Sequence, residues 1–128
     1  MNAIDTNVLV RVLINDDQIQ AYKAVKLIGN NAPVFVSEIV LCETIWVLQS
    51  RYGFNKAQLI SAIEKVLKIK ELHIEHNDAM WSAFHEFQYI AADFSDCVIG
   101  AVAKHHGCSA VSTFDKNAAK SKNFKLIK

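Results

Sequence analysis

At 128 residues the chain is as long as one ordinary domain, enough to bury a core and too short for two, so a single unit over 1–128 is expected. Its 52% apolar and 21% charged composition is that of a globular protein; no apolar run reaches the roughly 18 to 20 residues of a membrane span, and the start lacks the basic region and cleavage site of a signal peptide, which excludes a membrane role and predicts a cytoplasmic protein. The net charge of +1 favours no partner class, but the last 13 residues hold five lysines and no acid, leaving the first 115 at −4, so a phosphate-attracting rim beside an acidic remainder is one reading and a solvated basic tail the other.

In chain order, residues 2 to 5 predict a short strand and 7 to 14 a helix. A second helix is expected over 17 to 28, capped by Asn15 or Asp16 and closed by Gly29. Val34-Phe35-Val36 reads as a strand, and Ser37 is placed to cap a helix over 38 to 51. Asn55 with Gln58 has the spacing of a capping box, and Phe54 can staple to Leu59. Leu72-His73-Ile74 is a further strand, after which Asn77 opens a helix with Met80, Phe84, Phe87 and Ala91 as its core stripe. A helix over 94 to 106 closes on His105, His106 and Gly107, and strands are expected at 110–113 and 124–127.

Short apolar strands alternating with helices predict an α/β fold with a largely parallel sheet covered on both faces. Sites in such folds form beyond the carboxyl ends of the strands. Asp5 and Asp115 fall at two of those ends. Cys42, Cys97 and Cys108 are odd in number and lack CxxC spacing, so they are expected as buried, reduced thiols. The five histidines show no HExxH spacing, which argues against zinc. Trp46 and Trp81 are expected in the core.

Four acids lack a ready structural role. Asp5 is followed at once by Thr6 and Asn7, which can cap the next helix and leave Asp5 redundant there. Glu43 shares a helical face with Ile39, Val40, Trp46 and Val47, where a charge is costly unless paired or bound. Asp96 shares a face with Ile99, Gly100 and Ala103; a glycine inside a helix costs about 1 kcal/mol, which implies close packing at Gly100. Asp93 is expected to cap that helix, and Asp115 can also be an ordinary turn residue. Gathered together, such acids would repel one another unless a divalent cation neutralised them. An all-carboxylate set suits Mg²⁺ or Mn²⁺, and the matching chemistry is phosphodiester hydrolysis.

Ile4-Asp5-Thr6-Asn7, Ser37-Glu38-Ile39-Val40-Leu41-Cys42-Glu43, Asp93-Phe94-Ser95-Asp96-Cys97-Val98-Ile99-Gly100-Ala101 and Thr113-Phe114-Asp115 together resemble the motifs of PIN-domain nucleases, in order and over essentially the whole chain. The small format is similar to the VapC-type ribonuclease toxins of toxin–antitoxin pairs. The resemblance implies a three-layer α/β/α sandwich with a mainly parallel sheet, and Mg²⁺- or Mn²⁺-dependent endoribonuclease activity. It further implies that Asp5, Glu43, Asp96 and Asp115 are the metal-site acids, supported by Thr6, Asn7, Asp93 and Thr113. Lys116, Lys120 and Lys122 would hold the RNA backbone. Implied partners are an RNA substrate, a cognate antitoxin that alone reaches operator DNA, and a second copy in a homodimer.

Two other classes compete with this reading. A response-regulator phosphoacceptor domain needs an acidic pair directly after the first strand, whereas Asp16-Asp17 lie a helix too late, and it needs a lysine after the fifth strand that has no evident counterpart. A catalytically silent PIN-like module that binds RNA or protein would keep the fold without turnover.

Overall fold

Strands of only two or three residues hold together here because each is paired in parallel, and the first three run within a few residues into α-helices. The computed structural model describes all 128 residues, Met1–Lys128, and the chain divides into two compact units, Met1–Glu75 and His76–Lys128.

In the first unit, β1 (Asn2–Ala3), β2 (Val34–Val36) and β3 (Leu72–Ile74) form a parallel sheet in the order β1-β2-β3, with Asn2 opposite Val34 and Val34 opposite Leu72. Parallel neighbours require crossovers, and helices supply them: α1 (Thr6–Leu13) and α2 (Gln18–Asn30) lead from β1 to β2, and α3 (Glu38–Ser50) and α4 (Lys56–Leu67) lead from β2 to β3. Val34, Val36, Leu72 and Ile74 are buried while Phe35 is half-buried and His73 exposed, so one face of these strands is covered more deeply than the other.

The capping residues set most helix starts. Ser37 accepts from the Val40 N–H at 3.1 Å, and Asn55 and Gln58 make the reciprocal capping box at 2.9 Å in each direction. The start of α2 differs from expectation: Asp17 is the cap, accepting from the Gln20 N–H at 3.0 Å. Asp16 is instead drawn to Arg11 at 2.7 Å and to the Tyr52 hydroxyl at 3.3 Å. Gly29 lies within α2, which runs on to Asn30.

In the second unit, α5 (Asn77–Phe87) packs on α6 (Phe94–His105), with the Phe87 and Phe94 rings edge to face at 5.6 Å. Met80, Phe84 and Phe87 form the expected buried stripe, but Ala91 lies beyond the helix and is exposed. β4 (Val111–Thr113) pairs in parallel with β5 (Phe124–Leu126), joined by a 3₁₀ turn at Ala118–Lys120. Every strand pair of the chain is therefore parallel, as the α/β reading requires.

Of the cysteines, Cys97 is buried, Cys42 half-buried and Cys108 exposed, so burial holds for one only; none of the three forms a disulfide. Burial, followed by the charge of Glu38, pushes the Cys42 thiol up to about 11 and keeps it protonated. Trp46 is 59% exposed, contrary to the expected core position, and Trp81 is half-buried.

The close packing expected at Gly100 is present: a Cβ there would lie 2.9 Å from Phe124 Cε1 and 3.0 Å from Asn123 Cβ. A methyl group would press on the Phe124 ring and the Asn123 side chain, which would have to shift. Gly100→Ala is therefore expected to destabilise the protein by about 1 to 2 kcal/mol even after the gain in helix propensity. Gly29, also helical, has nothing within 4 Å of the corresponding position, so Gly29→Ala should stabilise by about 1 kcal/mol. Urea unfolding of both variants checks the pair of signs.

Candidate functional site

The first unit contributes Asp5, Thr6, Asn7 and Glu43. The chain leaves β1 through Ile4, which is buried and donates its N–H to Phe35 O at 3.2 Å, so Asp5 stands where the ladder ends and α1 begins. Its Oδ1 accepts from the Val8 N–H at 3.1 Å, making Asp5 itself the cap of α1. Thr6 and Asn7 are the first helical residues, so the expectation that they would relieve Asp5 of capping is corrected. Capping uses one carboxylate oxygen and leaves Oδ2 for another partner.

The Thr6 hydroxyl is tied to Glu43: its Oγ1 donates to Glu43 Oε1 across 37 positions of sequence. This contact brings the start of α1 to the middle of α3. The face that carries Glu43 is not the buried face of α3, which is formed by Leu41, Thr44, Ile45 and Leu48. Glu43 is exposed, with Ile39 and Trp46 exposed on the same side. The apolar neighbours are real, but burial does not explain why an acid stands among them.

The second unit contributes Asp93, Asp96, Thr113, Asp115, Lys116, Lys120 and Lys122. Asp93 occupies the cap position of α6, yet its side chain makes no cap hydrogen bond. Its backbone N–H instead donates to the Asp96 carboxylate, one turn into the helix. Burial raises the Asp96 carboxyl above the ordinary aspartate range, the charges of Asp93 and then Asp115 push it the same way, and the Asp93 N–H opposes them. The shift therefore expresses desolvation first and crowding of like charge second.

Asp115 follows β4 in a pinned turn. Its N–H donates to Thr113 Oγ1 at 3.0 Å, its Oδ1 accepts from the Asn117 N–H at 2.8 Å, and its carbonyl accepts from the Ala119 N–H at 3.0 Å. It serves as a turn residue and, like Asp5, keeps a carboxylate oxygen free of that duty.

None of Asp5, Glu43, Asp93, Asp96 and Asp115 is in an ion pair, whereas Arg11 pairs with Asp16 and Lys68 with Glu64. Within the second unit the charges of Asp93 and Asp115 act on Asp96 without a compensating base. That donor set, all oxygen and short of positive charge, fits a hard divalent cation such as Mg²⁺ or Mn²⁺.

Lys120 and Lys122 line a cavity of about 810 Å³ together with Lys104, His85, His105 and Tyr89. Glu86 also lines it, and both Glu86 oxygens accept from the buried Ser121 hydroxyl, at 3.0 and 2.9 Å. Lys116 is exposed and not among the lining residues. Sequence reasoning missed Lys104 and His105 as cavity residues because a basic pair at a helix end already had a sufficient explanation in the helix dipole.

A family model described as PIN domain matches residues 3–123. Among solved structures, the crystal structure of the Mycobacterium tuberculosis toxin VapC20, described as cleaving the sarcin–ricin loop, is similar over 94% of each chain, with 20% identity and a TM-score of 0.44. No curated protein matches the chain significantly.

The raised Asp96 carboxyl fixes the sign of a stability effect. The folded state takes up the proton more readily than the unfolded one, so this contribution is fully present below the unfolded pKa and is lost as pH rises through the folded value. At neutral pH the Asp96 charge opposes folding. Asp96→Asn keeps an oxygen for the Asp93 N–H and removes the charge, so with EDTA present it should melt above the wild type at pH 7, the gap closing towards about pH 3. A lower melting temperature at pH 7 would contradict the crowding.

Proposed function

Because the chain belongs to the PIN-domain family, whose model spans residues 3–123, we propose that it is a metal-dependent endoribonuclease that hydrolyses RNA phosphodiester bonds and serves as the toxin of a type II toxin–antitoxin pair. The observation that carries this reading is the set of acids without a basic partner, Asp5 and Glu43 in one unit and Asp93, Asp96 and Asp115 in the other, standing at the motif positions that resemble the family's. Residues 1–128 are taken as one nuclease domain.

In this reading Asp5, Glu43 and Asp96 would hold a Mg²⁺ or Mn²⁺ ion, and Asp115 a second ion or a water. When bound, such an ion lowers the pKa of a water nucleophile and offsets charge that builds on the phosphoryl oxygens. The protein's own groups do the placing. Thr6, donating to Glu43, fixes the rotamer of that carboxylate. The Asp93 N–H orients Asp96, Thr113 and the Asn117 N–H orient the turn that carries Asp115, and Asn7 supports Asp5 from the first turn of α1. Water attacks the phosphorus in line with the departing 3′-oxygen; the P–O3′ bond breaks, leaving a 5′-phosphate and a 3′-hydroxyl. Lys116, Lys120 and Lys122 meet flanking phosphates.

The toxin assignment rests on the single-domain format that the chain shares with VapC-type proteins, and with it come a cognate antitoxin, a homodimer and a cytoplasmic setting. No helix is long and apolar enough to cross a membrane. VapC20 is described as cutting the sarcin–ricin loop; the RNA cut by this chain is to be found by mapping cleavage sites.

Asp5→Asn, Glu43→Gln and Asp96→Asn are each expected to abolish RNA cleavage in Mn²⁺ while far-UV circular dichroism stays unchanged, and EDTA should silence the wild type. Full activity in Asp5→Asn or Asp96→Asn would remove the site, and an inert wild type would identify a binding module. The lysines predict a salt effect. Binding to single-stranded RNA falls with log salt by about 0.7 per phosphate neutralised, so a Lys120→Ala/Lys122→Ala protein should lose about 1.4 from the magnitude of that slope. An unchanged slope would show that these lysines do not meet the backbone.

A further inference from the structure

Phe114 is 79% exposed, and isolated exposed apolar side chains are ordinary on protein surfaces. What sets this one apart is how its backbone is held and what stands beside it. Thr113 Oγ1 accepts from the Asp115 N–H, Asp115 Oδ1 accepts from the Asn117 N–H, and the Asp115 carbonyl accepts from the Ala119 N–H. Hydrogen bonds on both sides of Phe114 thus fix the turn after β4, and an ordered backbone holds the ring out in water. Asp115, one of the proposed cation-holding acids, comes next in sequence, followed by the exposed Lys116.

We propose that Phe114 is a nucleobase-stacking residue: it takes the face of one base of the RNA strand whose scissile phosphate lies at the acids, with Lys116 beside the adjoining phosphate. The inference rests on the nuclease reading above and adds the residue that sets where along the strand the cut falls. A protein partner with an apolar surface would have to desolvate Asp115 and Lys116 to reach the ring, which is costly without paired charges. A nucleotide matches the local chemistry better, since it joins a flat π-face to an anionic phosphate. Every base offers such a face, so Phe114 fixes the register of the strand more than the identity of the base.

The test uses the full chain. In Asp96→Asn protein with Mg²⁺, 2-aminopurine walked along a single-stranded oligoribonucleotide should be quenched at one position. Asp96→Asn/Phe114→Ala should lose that quenching and bind roughly ten-fold or more weakly, while Asp96→Asn/Phe114→Trp should retain both. In otherwise wild-type protein, Phe114→Ala should raise KM, scatter the cut positions and leave kcat within a few-fold. Equal affinity and equal quenching in the alanine and parent proteins would overturn the proposal, and would leave the nuclease reading intact if the wild type cleaves. A wild type that cuts nothing in Mn²⁺ but shows Phe114-dependent quenching would keep the stacking residue and remove the catalytic reading. A Phe114→Ala protein with altered sedimentation and unaltered RNA affinity would place the ring in a protein interface and overturn the proposal.

Discussion

Parallel pairing of very short strands is the constraint from which the placement of polar chemistry follows. A parallel neighbour can be reached only by a crossover, so a strand that runs two or three residues must turn almost at once into a helix. The junction has to satisfy the unpaired N–H groups of the new helix within one or two residues. Asp5 after β1 and Ser37 after β2 meet that demand with side-chain oxygens, and Asp115 after β4 pins a turn in a similar way. Two of the three are carboxylates, and each keeps an oxygen that its junction does not use. Where the fold needs a cap, a candidate ligand is placed without an additional element.

The cost of that economy is visible at Asp96. A carboxylate half out of water, with Asp93 and Asp115 acting on it and no base in reach, is harder to keep ionised than an isolated aspartate. Sites that gather like charge are destabilising until a counter-charge arrives, and a stable arrangement without a ligand would pair the acids with lysines the unit already possesses. Instead Lys104, Lys120 and Lys122 gather round a separate cavity. Lys104 lies eight residues beyond Asp96 on the same helix, about 12 Å of helical rise away. Acids near the start of α6 and bases near its end also follow the helix dipole, so the same segregation suits both the helix and an anionic strand laid along it.

What was legible in the sequence follows the range of the interaction that decides each feature. Ser37, the Asn55–Gln58 capping box and the Met80–Phe84–Phe87 stripe are governed by neighbours within about one helical turn, and spacing alone recovers them. Gly100 was legible for a different reason: a glycine inside a helix is costly enough to demand a tertiary explanation, and Phe124 with Asn123 supplies it. The start of α2 was not legible, because Arg11 and Tyr52 capture Asp16 and pass the cap to Asp17. Asp5 was misjudged as a cap for a related reason: three capping residues stood in a row, and only the point where the ladder ends decides which is used.

Glu43 shows the limit of reasoning from periodicity. The pattern correctly grouped it with Ile39, Trp46 and Val47, but a period reports which residues share a face and not whether that face is covered. Here α3 buries Leu41, Thr44, Ile45 and Leu48 and leaves Ile39 and Trp46 in solvent beside the acid. Contact, and not burial, marks Glu43: the hydroxyl of Thr6, distant in sequence, donates to its exposed carboxylate. An exposed glutamate gains little stability from one such bond once water is allowed to compete. In the proposed nuclease the contact would therefore serve to position the acid more than to stabilise the fold.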